Sequence, residues 1–286
     1  MIDALKAAVK SALGAAGHAP RLAPLLARPT VRRVLQAIPG GKAFYASGWQ
    51  RRHPFDRLNG TRTSGTVPAQ DLDISAAARN EAVGYGGSQP GVLRAAMSAL
   101  PALDGFTFVD LGCGKGRPLF VASEFQFKAI IGVELSPRLA AITADNARIM
   151  RLRYPQRVPV QVVTGDASTY ALPPGDLVVL LYNPFGRPLI RKVVHNVEHA
   201  LTGPHRSVFV VYYNPVHGDC FDASRKLRWC FARTLPHAAD ELGFGPDGAD
   251  TVVVWEPGHG AARPGTEARI VVTVPGVRCE LAGQRA

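Results

Sequence analysis

Residues 109–116 read Val-Asp-Leu-Gly-Cys-Gly-Lys-Gly and follow directly on an apolar run. An acid, Asp110, therefore precedes three glycines at alternate positions, Gly112, Gly114 and Gly116. At the carboxyl end of a strand the chain has to turn sharply into a helix while a ligand lies against its backbone, and glycine carries no Cβ to obstruct either. The stretch therefore predicts a pocket for a nucleotide-type cofactor.

The spacing of the glycines separates two kinds of cofactor. A dinucleotide fingerprint requires glycine at the sixth position of Gly-x-Gly-x-x-Gly, where this chain has Arg117 followed by Pro118. The string instead resembles motif I of the class I S-adenosylmethionine-dependent methyltransferases. The resemblance implies that the glycines and the intervening Cys113 lie along the methionine part of the cofactor, and that Asp110 contacts it near the amino group.

A second strand is predicted over residues 129–135, a continuous apolar run of the kind that buried parallel strands show. Its acid, Glu134, follows the glycines by about twenty residues, which is where a ribose-binding acid is expected. The resemblance implies that Glu134 and the adjacent Leu135 bind the cofactor. An exposed carboxylate at a strand end is an equally good explanation of Glu134 alone.

A third strand is predicted over Val160 to Val163, and Gly165-Asp166-Ala167 closes it. The resemblance implies that Asp166 and the backbone amide of Ala167 read the adenine edge of the cofactor. Glycine and aspartate are also ordinary turn residues, so a simple turn is the alternative.

Residues 53–90 are richer in aromatic and backbone-permissive residues than a linker, and they stand just before a predicted helix, Val92 to Leu100. In the family that the glycine string resembles, the corresponding segment folds over the cofactor. We therefore expect a lid in which Tyr85 covers the methionine end of the cofactor. A Tyr85 that only packs against the helix is the alternative.

The fourth predicted strand, Leu177 to Leu181, ends in Tyr182-Asn183-Pro184-Phe185-Gly186. Amino-group methyltransferases carry an Asp or Asn, Pro, Pro, aromatic loop at this place, and this chain lacks one of the prolines. The partial resemblance implies that Asn183 orients the attacking nucleophile, that Phe185 forms a wall of the substrate slot, and that Tyr182 belongs to the same catalytic set. Asn183 also falls among the expected cofactor contacts. Alternatively, Asn-Pro ends the strand and Phe185 enters the core.

The acceptor of the methyl group is less well indicated than the cofactor. The order of motifs over roughly residues 84–201 also resembles Dot1-like and related seven-stranded lysine methyltransferases. That resemblance implies an amine acceptor, either a protein lysine or a small amine. A non-catalytic binding module on the same fold and a nicotinamide-dependent Rossmann reductase stay open as alternatives.

The length of 286 residues and an apolar fraction of 47% fit one α/β domain with an extension. We expect a three-layer, Rossmann-like methyltransferase fold with a mostly parallel seven-stranded sheet. A basic N-terminal helical cap and lid would occupy residues 1–90, and the methyltransferase domain residues 91–286.

The last part of the chain supplies the remaining elements of that sheet. Ser207 to Tyr213 predicts a fifth strand, which ends in a second Tyr-Asn-Pro and so places a similar polar cap near the pocket. A helix is expected over Phe221 to Arg228. The sixth and seventh strands are expected over Thr251 to Trp255 and Ile270 to Val274, joined as a hairpin by the Gly-Pro-rich residues 257–265.

Basic residues are concentrated near the start of the chain. Residues 1–62 contain eleven Lys or Arg and two acids, Asp3 and Asp56, whereas the rest of the chain is nearly balanced. Such a segment suits an acidic partner, an anionic lipid surface or nucleic acid. A solvated face of the cap explains the same charges.

Several features predict a protein of the reducing cytoplasm. Asp3, Lys6 and Lys10 interrupt any signal-peptide pattern, and no run approaches the roughly twenty apolar residues of a membrane span. The four cysteines include no Cys-x-x-Cys pair, which argues against a disulfide framework and a thiol zinc site. We also expect no catalytic role for the Cys113 thiol.

A zinc-protease pattern, His-x-x-Glu-His, occurs at residues 195–199. A zinc site needs a third ligand and a pocket, whereas this string falls on the helix predicted after the fourth strand. A solvated helix face is the better interpretation, and no metal is expected.

Overall fold

The computed structural model describes residues 51–202, 207–245, 248–258, 269–274 and 277–282, together with Val31 and Val34. The elements of these ranges are, in chain order, α1 (Pro54–Asn59), a 3₁₀ helix (Ala69–Asp71), α2 (Ala76–Glu81), α3 (Pro90–Ser98), β1 (Thr107–Leu111), α4 (Arg117–Ala122), β2 (Ala129–Glu134), α5 (Pro137–Arg153), β3 (Val160–Thr164), β4 (Leu177–Tyr182), α6 (Arg187–Ala200), β5 (Val208–Tyr213), α7 (Asp219–Asp222), β6 (Leu227–Pro236), β7 (Ala249–Pro257), β8 (Arg269–Val274) and β9 (Val277–Ala282).

A seven-stranded sheet forms the centre of the molecule. Its strands lie in the order β3-β2-β1-β4-β5-β7-β6, and the first five pair in parallel. The strand β7 runs antiparallel to both of its neighbours. The order reverses between β1 and β4, and ligands of open α/β sheets bind at the carboxyl ends of the strands at such a reversal.

Helices cover both faces of the sheet, because successive side chains of a strand point to opposite faces. In β4, Val178 and Leu180 join the core that contains α3 and α4, whereas Val179 and Leu181 join the core that contains α6 and α7. All four side chains are fully buried. The result is the expected three-layer, mostly parallel architecture.

Two predictions for the last part of the chain were wrong, those of the helix after β5 and of the seventh strand. The predicted helix over Phe221 to Arg228 ends at Asp222, and Leu227 begins the long strand β6. Leu227 and Trp229 pack into one core and Phe231 into the other, past a bulge between Trp229 and Phe231.

The end of α7 also carries a buried polar contact. The carboxylate of Asp222 accepts hydrogen bonds from the indoles of Trp229 (2.6 Å) and Trp255 (2.9 Å). The contact ties α7 to β6 and β7.

The predicted seventh strand, Ile270 to Val274, does not belong to the main sheet. As β8 it pairs with β9 in a separate two-stranded sheet, and Ile270 and Val272 pack against the α6 side of the core. The strands β7 and β8 are not paired, so they do not form the expected hairpin, and residues 259–265 of the link between them lie outside the described residues. The sixth place of the sheet is taken by β7 and its edge by β6.

No helix within the described ranges is long and apolar enough to cross a membrane. The division of the chain at residue 90 stays a prediction, and most of the predicted basic cap lies outside the described residues.

Candidate active site

The glycine loop between β1 and α4 is held from below by the crossover helix α5. Thr143 donates a hydrogen bond to the carbonyl of Gly114 (2.6 Å), and Asn146 donates one to the carbonyl of Lys115 (3.1 Å). Both side chains are fully buried. Gly112 and Gly114 have φ values of 88° and 57°, in the region that glycine adopts without steric cost. The loop is therefore fixed in position independently of any ligand.

Glu134 joins the end of β2 to the same loop. Its carboxylate accepts hydrogen bonds from the backbone N–H groups of Gly114 (2.8 Å) and Ser136 (2.9 Å). Burial raises the pKa of Glu134, and these backbone hydrogen bonds oppose that shift. Each carboxylate oxygen keeps a second acceptor position.

A cavity of about 310 Å³ lies over the carboxyl ends of β1, β2 and β4, between the glycine loop and the lid. Its wall includes nearly all of the residues that the sequence singled out: Tyr85, Asp110, Gly112, Cys113, Gly114, Glu134, Leu135, Asp166, Ala167, Tyr182, Asn183 and Phe185. The structure thus brings together residues from the ends of β1, β2, β3 and β4 and from the lid.

Gly116 is the exception, because it does not line this cavity. It precedes α4 with a φ of 86°, and a Cβ at this position would lie 2.6 Å from Cγ2 of Thr143. Its place in the motif is explained by the packing of α4 against α5. The expected contact between Gly116 and the cofactor has no support in the geometry.

Asp110 carries the most informative chemistry of the cavity wall. Its side chain is 1% exposed, and its Oδ2 atom has no hydrogen-bond partner among the described residues. Burial, followed by the nearby charge of Glu134, raises the pKa of Asp110 well above its ordinary value. A buried carboxylate without a partner is costly, and a ligand ammonium group would compensate it.

The adenine-side candidates lie at the ends of β2 and β3. Ala167 is buried, and the exposed Asp166 accepts a hydrogen bond from the backbone of Ser168 (2.8 Å). Leu135 is 37% exposed and lines the same part of the cavity wall. Leu135 and Ala167 therefore offer an apolar surface, and Asp166 adds polar atoms beside it.

Tyr85 lies directly on the glycine loop. A Cβ at Gly114 would overlap the Tyr85 ring, so the absence of a side chain there permits the contact. The Tyr85 hydroxyl donates to the carbonyl of Thr63 (2.5 Å), and the Lys115 ammonium lies 4.7 Å from the ring centroid. The lid is therefore anchored at the position where the sequence predicted an aromatic cover.

Arg117 is a lid-positioning residue that the sequence reasoning did not identify. Its buried guanidinium donates from Nε to the Thr63 hydroxyl (2.8 Å), from NH1 to the Ser88 carbonyl (2.7 Å) and from NH2 to the Thr63 carbonyl (3.1 Å). It thereby joins both ends of the lid to the start of α4. The only signal in the sequence was an arginine where a dinucleotide motif has glycine.

The two Tyr-Asn-Pro segments share an asparagine with positive φ and differ in their side-chain contacts. Asn183 and Asn214 both have a positive φ, 42° and 48°. Asn214 is buried, donates to Asp250 (2.8 Å) and accepts from the Thr251 amide (3.0 Å), and it does not line the cavity. Asn183 lines the cavity, and its amide has no hydrogen bond within the described ranges. Only the first segment presents a free amide to a ligand.

The loop after β4 also contacts the glycine loop and the lid. A Cβ at Gly112 would lie 2.8 Å from Pro184, and Phe185 forms an antiparallel bridge with Ala82. The Tyr182 ring lies with its centroid 4.4 Å from that of Tyr213, its neighbour on β5, and the two rings are tilted by 60°. The predicted acceptor side is therefore closed by the lid.

Cys113 is buried beside Gly132, where a Cβ would lie 2.7 Å from its sulfur. Burial raises the pKa of its thiol well above the ordinary value, so the thiol stays protonated. The geometry assigns Cys113 a packing role in the loop.

The zinc-protease string lies on α6, with His195 and His199 exposed. Glu198 accepts a hydrogen bond from the Ser224 hydroxyl (2.5 Å). Over the described ranges, no three His, Cys, Asp or Glu side chains are grouped to hold a metal ion.

Part of the basic segment is described, and its arginines contact the protein itself. Arg51 donates to the Gly243 carbonyl (3.2 Å), Arg57 lies over the ring of Phe244 (5.5 Å), and Arg62 pairs with Asp145 (3.1 Å). The binding of an acidic partner or anionic surface by residues 1–62 stays a prediction, because most of that segment lies outside the described residues.

No protein-family model matches the chain, and no curated protein matches it. Solved structures do: the 23S rRNA methyltransferase ErmE is 15% identical over 60% of this chain and 68% of its own, with a TM-score of 0.40. A TehB-like SAM-dependent methyltransferase from Corynebacterium glutamicum is 20% identical over 58% of this chain and 85% of its own, with a TM-score of 0.37.

The [4+2]-cyclase SpnF is also similar, at 14% identity over 60% of this chain and 81% of its own, with a TM-score of 0.41. Because all of these TM-scores are below 0.5, the assignment of the fold depends on the strand order and on the antiparallel β7. By that topology, the chain has the Rossmann-like, seven-stranded fold of the class I S-adenosylmethionine-dependent methyltransferases.

Proposed function

We propose that the protein is an S-adenosylmethionine-dependent methyltransferase that acts on the nitrogen of an amine. The observation that carries the proposal is the buried, unpartnered carboxylate of Asp110 beside Gly112 and Gly114. An amino-acid ammonium group is the ligand feature that this carboxylate and the adjacent backbone suit.

The other residues of the cavity fit the rest of such a ligand. Glu134 retains acceptor positions for ribose hydroxyls, and Leu135 with Ala167 offers an apolar slot for a planar base. Asp166 stands at the edge of that slot. S-adenosylmethionine, when bound, would supply an electrophilic methyl group on a sulfonium sulfur.

The acceptor side is assigned to Asn183 and Phe185. The Asn183 amide is free to accept a hydrogen bond from an amine N–H, which would aim the nitrogen lone pair at the methyl group. Its positive φ is a strained conformation for a residue other than glycine, and such strain is concentrated at functional positions. Phe185 would form the wall along the acceptor, with Tyr182 beneath the loop.

Calorimetric titration of the native protein and of Asp110→Asn tests this assignment. Two ligands are compared: S-adenosylhomocysteine, which carries the amino-acid group, and 5′-methylthioadenosine, which lacks it. Removing one partner of a buried ion pair costs about 3 kcal/mol, so S-adenosylhomocysteine should bind Asp110→Asn roughly a hundredfold more weakly. The affinity for 5′-methylthioadenosine should not change, which controls for misfolding.

Equal affinity of both proteins for S-adenosylhomocysteine would show that Asp110 does not hold the ammonium group. Titration with NADP provides the test of the reductase alternative, since binding of NADP without binding of S-adenosylhomocysteine would favour it. Binding of the cofactor without transfer to any amine tested would favour the non-catalytic module.

A further inference from the structure

We propose that Glu81, a residue of the lid, is the specificity-determining residue that selects a positively charged amine as the methyl acceptor. The inference rests on the proposed function and adds to it the charge of the acceptor and the side chain that recognises it. Glu81 lies in the cavity wall together with Asn183 and Phe185.

Backbone contacts hold Glu81 beside the loop that follows β4. The N–H of Gly186 donates to the Glu81 carbonyl (2.7 Å), and Ala82 forms the bridge with Phe185. The N–H of Val83 donates to the Pro184 carbonyl (3.2 Å). The end of α2 therefore runs alongside the proposed acceptor loop in a defined register.

The Glu81 carboxylate points to a ligand because nothing in the described part of the protein pairs with it. It makes no side-chain hydrogen bond or ion pair there, although it is half-buried. A Cβ at Gly186 would lie 2.5 Å from its Oε2 atom, so the glycine leaves room for the carboxylate. Gly186 also precedes the 14-residue helix α6, so the carboxylate lies beside the N-terminus of a helix, where a negative charge is favourable.

The charges of the cavity favour a cation. Its acidic lining residues are Glu81, Asp110, Glu134 and Asp166. Arg117 is the one basic residue among the described residues of the wall, and its guanidinium already donates to Thr63 and Ser88. With the cofactor's ammonium group on Asp110, an anionic acceptor would still meet the unpaired carboxylate of Glu81.

A carboxylate at this place also suits the chemistry of methyl transfer to nitrogen. The bound ammonium first loses one proton to water, and the lone pair of the resulting uncharged amine then forms the bond to the methyl carbon while sulfur keeps the electron pair of the bond that breaks. Positive charge passes from sulfur to nitrogen, so the product is a methylated ammonium. A fixed carboxylate near the nitrogen stabilises the charge that develops there.

Binding of simple probes to the protein saturated with S-adenosylhomocysteine tests the proposal. Benzylamine is a cation at neutral pH, and benzyl alcohol is a neutral molecule of similar shape. We expect benzylamine to bind the native protein about tenfold more tightly than benzyl alcohol, and Glu81→Gln to abolish this difference. The matched control is Asp71→Asn, which removes one carboxylate of the lid outside the cavity and should keep the difference.

The proposal is overturned if benzylamine binds the native protein no more tightly than benzyl alcohol, or if Glu81→Gln and Asp71→Asn behave alike. A purely structural role of Glu81 at the start of α6 would lower the melting temperature of Glu81→Gln without changing the preference between the probes. Failure of the native protein to bind S-adenosylhomocysteine would instead refute the proposed function. The failure of the Glu81 proposal and the failure of the proposed function are therefore distinguishable.

Discussion

Replacing Arg117 with methionine should detach the lid from the glycine loop. The guanidinium donates three hydrogen bonds, to two groups of Thr63 and to the carbonyl of Ser88, on either side of the lid. Methionine fills a similar volume and donates none of these bonds. The substitution therefore removes the attachment and leaves the packing largely unchanged.

The expected change in the free energy of unfolding follows from the hydrogen bonds that each acceptor loses. Hydrogen bonds from a charged donor contribute about 1.5–3 kcal/mol each, and the cost of burying the guanidinium offsets several kcal/mol of that sum. After the substitution the Thr63 carbonyl keeps the Tyr85 hydroxyl as a donor, whereas the Ser88 carbonyl loses its hydrogen bond to Arg117. We therefore expect the free energy of unfolding to fall by about 3 kcal/mol.

Urea unfolding measures this change, and hydrogen exchange of the amides in residues 63–89 locates it. Exchange should rise there more than in β1 or β4. The matched control is Arg148→Met, which removes an arginine that is 75% exposed and should change stability by no more than about 0.5 kcal/mol. If the two variants lose the same stability, or if exchange in the lid is unchanged, Arg117 does not hold the lid.

Two further substitutions test other parts of the structure. Gly114→Ala should weaken S-adenosylhomocysteine binding at least about tenfold in calorimetry, because a Cβ there is strained at φ 57° and overlaps Tyr85. The control is Gly248→Ala, whose Cβ would lie at an ordinary contact distance of 3.9 Å from Leu242 and which should have no effect. Asp222→Asn tests a pH dependence of stability. Burial raises the pKa of Asp222 from 3.8 to about 6, so the protonated carboxyl group is favoured in the folded protein. The stability that this group contributes is therefore present near pH 4 and is lost as the pH rises through 6. The native protein should lose up to about 3 kcal/mol relative to Asp222→Asn between pH 4 and 7 in urea titrations, and a constant difference would contradict the assignment.

The part of the fold that sequence reasoning predicted is the part with local signals. Alternating apolar strands and helices around Gly112 and Gly114 indicate a strand-turn-helix unit, since the period and the glycines are properties of neighbouring residues. The strand β6 was missed because its first apolar residues follow closely on the short helix α7, within the range predicted as one helix. Bulged strands such as β6 lack the regular alternation by which strands are recognised.

The residues of the candidate site likewise fall into those with a local signal in the sequence and those without one. Residues at the ends of strands, such as Asp110 and Asn183, could be placed at one cavity because parallel strands end at one edge of a sheet. The contacts of Arg117 and Glu81 join segments that are far apart in the chain, and no local pattern specifies them. Two identical Tyr-Asn-Pro strings also predicted two similar polar caps near the pocket, whereas only Asn183 faces it, because Asp250 occupies the amide of Asn214.

The hydrogen-bonded pairing of residues 81–83 with residues 184–186 has a consequence for protein engineering and for divergence among related enzymes. The two segments lie side by side in the cavity wall, and backbone hydrogen bonds fix the register of each against the other. Exchanging either segment alone for one with a different backbone conformation would break this register. Transferring the proposed acceptor preference to another protein would therefore require exchanging both segments together.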